Sequence, residues 1–264
     1  MMKEIVIEKL YIETTKDERI IRILLPDDYH ESQKTYGVIY MHDGQNLFED
    51  ETAYGGHSWG IYEAKKALTE NEGYEDMIIV GIDNSSLRLD EYSPWKGKFP
   101  ISDRDIMHAG GLGDPYTQFI VNQVIPYIDS QYRTKHKVRY IAGSSMGAYI
   151  SQYIISKYPD LFLGAGIFSL ASWFNENDFL SYVKESKLKS SHYFFISIGR
   201  HESSSETISD FNEIYLQNSR NLRDLLVSKN IKCIDYIETD DVHNELAWRK
   251  VFPRFYRFIN QKAK

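Results

Sequence analysis

The stretch that decides the fold is Arg139-Tyr140-Ile141-Ala142-Gly143-Ser144-Ser145-Met146-Gly147-Ala148-Tyr149-Ile150-Ser151-Gln152-Tyr153-Ile154-Ile155. Arg139–Ala142 reads as a buried strand, and the residues from Gly147 to Tyr158 have helical spacing. Between them lies Gly143-Ser144-Ser145-Met146-Gly147, a G-x-S-x-G pattern. A chain of this length meets that pattern by chance about 0.1 times, so the setting carries the argument. A strand that turns sharply through a serine into a helix exposes the hydroxyl at the sheet's end, and only small neighbours fit so tight a turn. The helix N-terminus then favours negative charge developing beside it.

A serine hydroxyl is a weak nucleophile at neutral pH and needs a base. In this kind of fold the partners follow in the order serine, acid, histidine. The chain has eight histidines, of which only His201 and His243 follow Ser145 at the carboxyl end of an expected strand. His192 falls at the opposite end of its strand. His243 stands just beyond the last strand, after Asp240-Asp241-Val242, where a base belongs. The expected acid is Glu202, on the loop Gly199-Arg200-His201-Glu202 after the preceding strand, because it must orient the ring and support the imidazolium. Asp240 and Asp241 are rivals that flank the histidine, but so short a loop hinders a side-on approach. His42, His57 and His108 are scattered and read as structural or loop residues. No metal-ligand spacing or glycine-rich phosphate loop appears, so neither metal nor cofactor is expected.

Working outward, two strands, about Glu4–Ile12 and Glu18–Leu25, share a polar turn too short for a parallel crossover, which predicts an antiparallel edge. Apolar strands then alternate with helices. Strands are expected at Gly37–Met41, Met77–Ile82, Arg139–Ala142, Leu163–Phe168, Tyr193–Ile198 and Cys233–Glu238. Helices are expected at Trp59–Thr69, Pro115–Tyr132 (kinked at Pro126), Gly147–Tyr158, Asp210–Lys229 and Glu245–Asn260. Strands apolar on both faces and separated by helices predict an α/β fold with a mostly parallel central sheet covered on both sides. Residues 84–113 break the rhythm with Pro94, Gly97, Pro100, Gly110 and Gly111, and read as a lid-like excursion.

The 264 residues suit one α/β domain, and 42% hydrophobic against 26% charged residues is an ordinary globular balance. A formal net charge of −7 without a basic run argues against nucleic acid as a partner. The single cysteine, Cys233, allows no intrachain disulfide and reads as a buried, inert thiol in a core strand. The first ten residues do not resemble a signal peptide, and no apolar run of about 18 residues predicts a membrane span. The expectation is a cytoplasmic protein.

Further motifs add to the elbow: His42-Asp43-Gly44-Gln45-Asn46-Leu47-Phe48, Val80-Gly81-Ile82-Asp83-Asn84, Glu91-Tyr92-Ser93-Pro94, and His243-Asn244-Glu245 with Trp248. With these the chain resembles, over nearly its whole length, an esterase family of α/β hydrolases. That family holds esterase D-like enzymes, siderophore, feruloyl and acetyl-xylan esterases, and mycolyltransferases. The resemblance implies an α/β-hydrolase fold and a serine esterase acting on a small-molecule ester. It also implies an oxyanion hole made by the backbone N–H groups of Gln45 and Met146. An acyltransferase would use the same residues, and a non-catalytic binding protein could share the scaffold. Trp95, Trp173 and Phe174 fall on loops that could meet a substrate, and are the candidate substrate-binding residues.

Overall fold

The computed structural model describes residues 4–13, 15–99, 106–203, 205 and 207–261. Its centre is an eight-stranded sheet in the order β1-β2-β4-β3-β5-β6-β7-β8. The strands are β1 (Ile5–Ile12), β2 (Asp17–Leu24), β3 (Tyr36–His42), β4 (Met77–Ile82), β5 (Thr134–Ser144), β6 (Gly164–Phe168), β7 (Tyr193–Gly199) and β8 (Cys233–Thr239). β1 pairs antiparallel with β2, and β2 antiparallel with β4. Every other pairing is parallel. This is the mostly parallel sheet with an antiparallel N-terminal edge that the alternation of strand and helix signals predicts.

Helices cover both faces. α5 (Met146–Lys157) is buried from Met146 through Ser156, as befits a helix that is apolar nearly all round. It packs with α6 (Glu176–Glu185), α7 (Phe211–Ser228) and rings such as Tyr149, Phe179 and Tyr215 into the larger core. On the opposite face α1 (Ile61–Glu72) and α8 (Glu245–Asn260) build a second core around Trp59, Leu68, Phe252 and Phe255. Between these layers β3, β4 and β6 are buried along their whole length.

The chain departs from its sequence expectation in four places. The helix expected over Pro115–Tyr132 is α3 (Gly113–Phe119), a π-helical turn (Ile120–Val124) and α4 (Ile125–Gln131). Pro126 lies in the first turn of α4, just after the widened turn, because it has no N–H to continue the regular ladder. α6 was not expected; Asn175 caps it by accepting the Asp178 N–H, while its short length leaves little apolar period to read. β8 is no core strand. It closes the sheet and is half-buried throughout, so Cys233 is half-buried rather than inert in the interior.

The excursion is the fourth departure. Pro100 and residues 101–105 lie outside the described residues; the rest is tied down. α2 (Arg88–Glu91) forms within it, and Gly97 N–H donates to Ala109 O at 3.0 Å and Lys98 N–H to Phe174 O at 2.8 Å. Its main anchor is buried. Arg19 of β2 donates to Glu91 at 2.7 Å and to Asp83 O at 3.2 Å, with both side chains of the pair 2% exposed. Removing one partner of such a pair strands the other charge, at a cost of about 3–5 kcal/mol. Arg19→Met is therefore expected to lower urea-unfolding stability by about 3–5 kcal/mol, and Arg19→Met/Glu91→Leu to recover much of it. Equal losses in both variants would show that the pair is not what anchors the excursion.

Candidate active site

Four parallel strands bring the sequence-predicted residues to one edge of the sheet. β5 ends at Ser144, and Ser145 opens α5 with φ 57° and ψ −122°, a left-handed region that a serine rarely adopts. The turn is locked on both sides: Ser145 N–H donates to Phe168 O at 2.9 Å, and Ser145 O accepts the Tyr149 N–H at 3.2 Å. Gly143 permits it, because a Cβ there would stand 2.7 Å from the Gly147 carbonyl carbon. Gly147 in turn faces Asp43 and the His42 Cβ, where an added Cβ would lie at 3.3 Å. Met146 N–H lies in the first turn of α5, where no intrahelical acceptor exists, so it is free to point at an anion.

Glu202 follows β7 and His243 follows β8. His243 Nδ1 lies 3.1 Å from Glu202 Oε2, and Glu202 is 1% exposed. Its other oxygen, Oε1, accepts the Gly199 N–H at 2.7 Å and the Ser169 hydroxyl at 2.5 Å. The rivals turn elsewhere: Asp240 pairs with Arg200 at 2.9 Å and Asp241 with Lys250 at 2.5 Å. His201 is exposed, and its backbone N–H donates to Asp241 O. The His243 ring packs against Tyr215 at 5.0 Å and edge-on to Trp248 at 5.2 Å. Sequence reasoning missed Ser169, Gly199 and Tyr215. Gly199 left one signal, a glycine ending a strand: a Cβ there would sit 2.3 Å from Asp241 O.

The loop after β3 supplies the third element. Asp43 adopts φ 56° and starts the 3-10 turn Gly44–Asn46, in which Gln45 sits. Gly44 presses against β4, where a Cβ would lie 2.6 Å from the Gly81 carbonyl carbon. The Asp43 carboxylate takes both Arg88 Nε at 2.7 Å and Arg88 Nη2 at 2.8 Å, and Asn84 Nδ2 at 2.6 Å. Burial pushes the Asp43 carboxyl up, but Arg88 and Asn84 outweigh it and hold it below the ordinary range. Gln45 is pinned through its side chain, which accepts the Asn84 N–H at 3.1 Å, and through its carbonyl, which accepts the Thr52 hydroxyl at 2.6 Å. Asn46 reaches Glu245 at 3.2 Å, tying this loop to the start of α8. Burial raises the Glu245 carboxyl, and the nearby Asp43 charge adds to that. Arg88 and Asn84 belong to the excursion, whose irregular sequence hides them.

The candidate substrate-binding rings are placed differently. Phe174 is fully buried against Tyr149, and Trp95 packs among Tyr149, Tyr153 and Tyr182. Both serve the core of the larger cluster. Trp173 is 4% exposed and lines a cavity of about 220 Å³ with Lys98, Phe99 and Asn218, behind the Tyr215 ring. Among the described residues no group of three or more His, Cys, Asp or Glu side chains is placed to hold a metal ion, and no helix is long and apolar enough to cross a membrane.

A left-handed elbow serine with a buried carboxylate paired to a half-buried imidazole on the same sheet edge marks the architecture of an α/β hydrolase. Residues 12–259 match the family described as "Putative esterase", and the chain belongs to that family of carboxylic ester hydrolases. It is 29% identical over 189 residues to the uncharacterized protein YbbA of Bacillus subtilis (strain 168), covering 70% of this chain and 69% of that protein. It is 25% identical over 156 residues to esterase Rv1288 of Mycobacterium tuberculosis (strain ATCC 25618 / H37Rv), but spans only 27% of that protein's length. An IroE-like serine hydrolase from Shewanella oneidensis shares the fold with a TM-score of 0.75 at 20% identity, over 98% of this chain and 79% of that one. A ferulic acid esterase does so with a TM-score of 0.74 at 16% identity, over 99% of both chains.

His42 carries a consequence for stability. It is 2% exposed, its Nδ1 lies 2.9 Å from the Tyr116 hydroxyl, and burial pushes the imidazole down from 6.5 to about 3. Below pH 6.5 the unfolded chain takes up a proton that the folded chain refuses, so stability is full above that pH and is lost as the pH falls towards 3. From pH 7 to pH 5 the loss from this group is about 2 kcal/mol. Urea titrations of wild type and His42→Gln at both pH values should differ in their pH-dependent loss by about that amount. Parallel behaviour of the two proteins would show that His42 is not the group responsible.

Proposed function

We propose that the chain hydrolyses a small-molecule carboxylic ester through an acyl-enzyme on Ser145, with His243 as base and Glu202 as its supporting acid. The observation that carries this reading is the Ser145 backbone, φ 57° and ψ −122°, at the head of α5. A non-glycine residue is kept in so costly a conformation where the strain presents a reacting group. The His243–Glu202 pair at 3.1 Å supports the same reading from the neighbouring strand ends.

In the first half-reaction the Ser145 oxygen bonds to the ester carbonyl carbon while His243 Nε2 takes the serine proton. The carbonyl oxygen becomes an oxyanion, received by the N–H groups of Met146 and Gln45; one such donor is worth about 3–4 kcal/mol. The intermediate collapses as the C–O bond to the alcohol breaks, and His243 returns the proton to the leaving oxygen. Water then repeats the sequence on the acyl-serine, releasing the acid and restoring Ser145. Glu202 stays ionised throughout and stabilises the imidazolium. Arg88 holds Asp43, and Asp43 sets the turn that aims the Gln45 N–H.

The test is kinetic. Ser145→Ala should keep the fold and lose essentially all hydrolysis of p-nitrophenyl esters, together with labelling by a fluorophosphonate. Retention of a tenth of wild-type kcat/KM, a loss of only about 1.4 kcal/mol, would remove Ser145 as nucleophile. Ser145→Ala/His243→Ala should be hardly worse than either single change, since residues acting as one unit are strongly non-additive.

A further inference from the structure

We propose that Ser169 and Trp248 are positioning residues that fix the protonation pattern of the acid–base pair, an inference that rests on the roles of Glu202 and His243 given above. Trp248 Nε1–H can only donate, and Ser169 Oγ accepts it at 2.8 Å. Ser169 is left with one hydrogen to give, and its Oγ lies 2.5 Å from Glu202 Oε1. Gly199 N–H donates to the same oxygen at 2.7 Å. Both donors are spent on Oε1, and a carboxylate can only accept. Oε2 must then accept from its own neighbour, so the hydrogen between it and His243 belongs on Nδ1. That leaves the lone pair on Nε2, the only neutral tautomer able to take a proton from Ser145.

The directions in the chain Trp248 → Ser169 → Glu202 ← His243 are thus set by two donors that cannot reverse, the indole N–H of Trp248 and the backbone N–H of Gly199. The surroundings are dry enough for the pattern to hold: Ser169 is 2%, Glu202 1% and Trp248 7% exposed. The backbone of Ser169 supports a role for its hydroxyl. It has φ 51°, a left-handed conformation that glycine adopts more readily, and its N–H is tied to Ser197 O at 2.7 Å. The turn alone would be better served by glycine; the hydroxyl is what serine adds. Trp248 also stands edge-on to the His243 ring, with an interplanar angle of 86°, so one residue of α8 touches both the base and the support of its acid.

Two substitutions separate the hydroxyl and the N–H from mere packing. Ser169→Gly keeps, and eases, the left-handed turn while removing the hydroxyl. Trp248→Phe keeps a ring against His243 and Trp59 while removing the donor. Ser169→Gly should lower kcat about 10- to 100-fold, the worth of one hydrogen bond to a charged group, with KM within about twofold, when assayed well below a Tm that falls because the Trp248 N–H loses its acceptor. Trp248→Phe should lower kcat in the same sense by less, and the double variant should match Ser169→Gly. The downfield proton resonance of His243 Nδ1–H should move in Ser169→Gly and vanish in Glu202→Gln. Wild-type kcat and an unmoved resonance in Ser169→Gly would overturn the inference, as would a loss appearing only in KM or Tm. If Trp248→Phe does not fold, Ser169→Gly decides alone. Activity surviving Ser145→Ala would instead overturn the acyl-enzyme reading. An unimpaired Glu202→Gln beside an inactive Ser145→Ala would remove both Glu202 and its supports while leaving the nucleophile in place.

Discussion

Across the turn between β5 and α5, Gly143 meets the backbone of Gly147 so closely that no Cβ fits between them. That contact forces the chain to reverse within one residue, and Ser145 absorbs the reversal in a left-handed conformation. The rest of the molecule is arranged around holding it. β5 lies near the middle of the sheet, α5 is buried almost all round, and Ser145 N–H is tied to the end of β6. A strain of about 1–3 kcal/mol persists only where such surroundings over-determine it. Parallel pairing then does the assembling: β3, β7 and β8 run the same way as β5, so the loops that follow them open on the same edge.

The edge is organised in two linked halves. On one side Arg88 neutralises Asp43, Asn84 donates to it, and together they shape the Gln45 turn; on the other Ser169 and Gly199 hold Glu202. Glu245, bonded to Asn46, and Trp248, bonded to Ser169, both come from the first turns of α8 and join the two. Both halves bury carboxylates, which is tolerable only because their oxygens meet donors.

The sequence made legible whatever rests on local pattern. The G-x-S-x-G turn, the alternation of apolar strands and helices, and the placement of Glu202 and His243 just past strand ends all leave short-range signals. What stayed hidden depends on contacts distant in the chain. Arg88 meets Asp43 across 45 positions and Ser169 meets Glu202 across 33, and neither pairing has a spacing rule. The same reason explains why Trp95 and Phe174 resembled ligand-facing rings. Lying on loops, they gave no sign that Trp95 would pack against Tyr149, Tyr153 and Tyr182, or Phe174 against Tyr149. Likewise the apolar letters of β8 could not announce that it would close the sheet with only half its surface covered.

α8 also has a bearing on synthesis. Its first turn carries Glu245 and Trp248, its last turns meet β5 at Tyr140, α1 through Arg257 and Glu72, and the loop after α1 through Tyr256 and Glu75, and His243 stands two residues before it. A ribosome that has extended the chain only through β7 has released the elbow serine but neither the histidine nor the helix that seals the second core. Domains generally fold as units as they emerge, N-terminal parts first. Ser145 therefore emerges 98 positions ahead of His243, and the two halves of the edge meet only once α8 has followed.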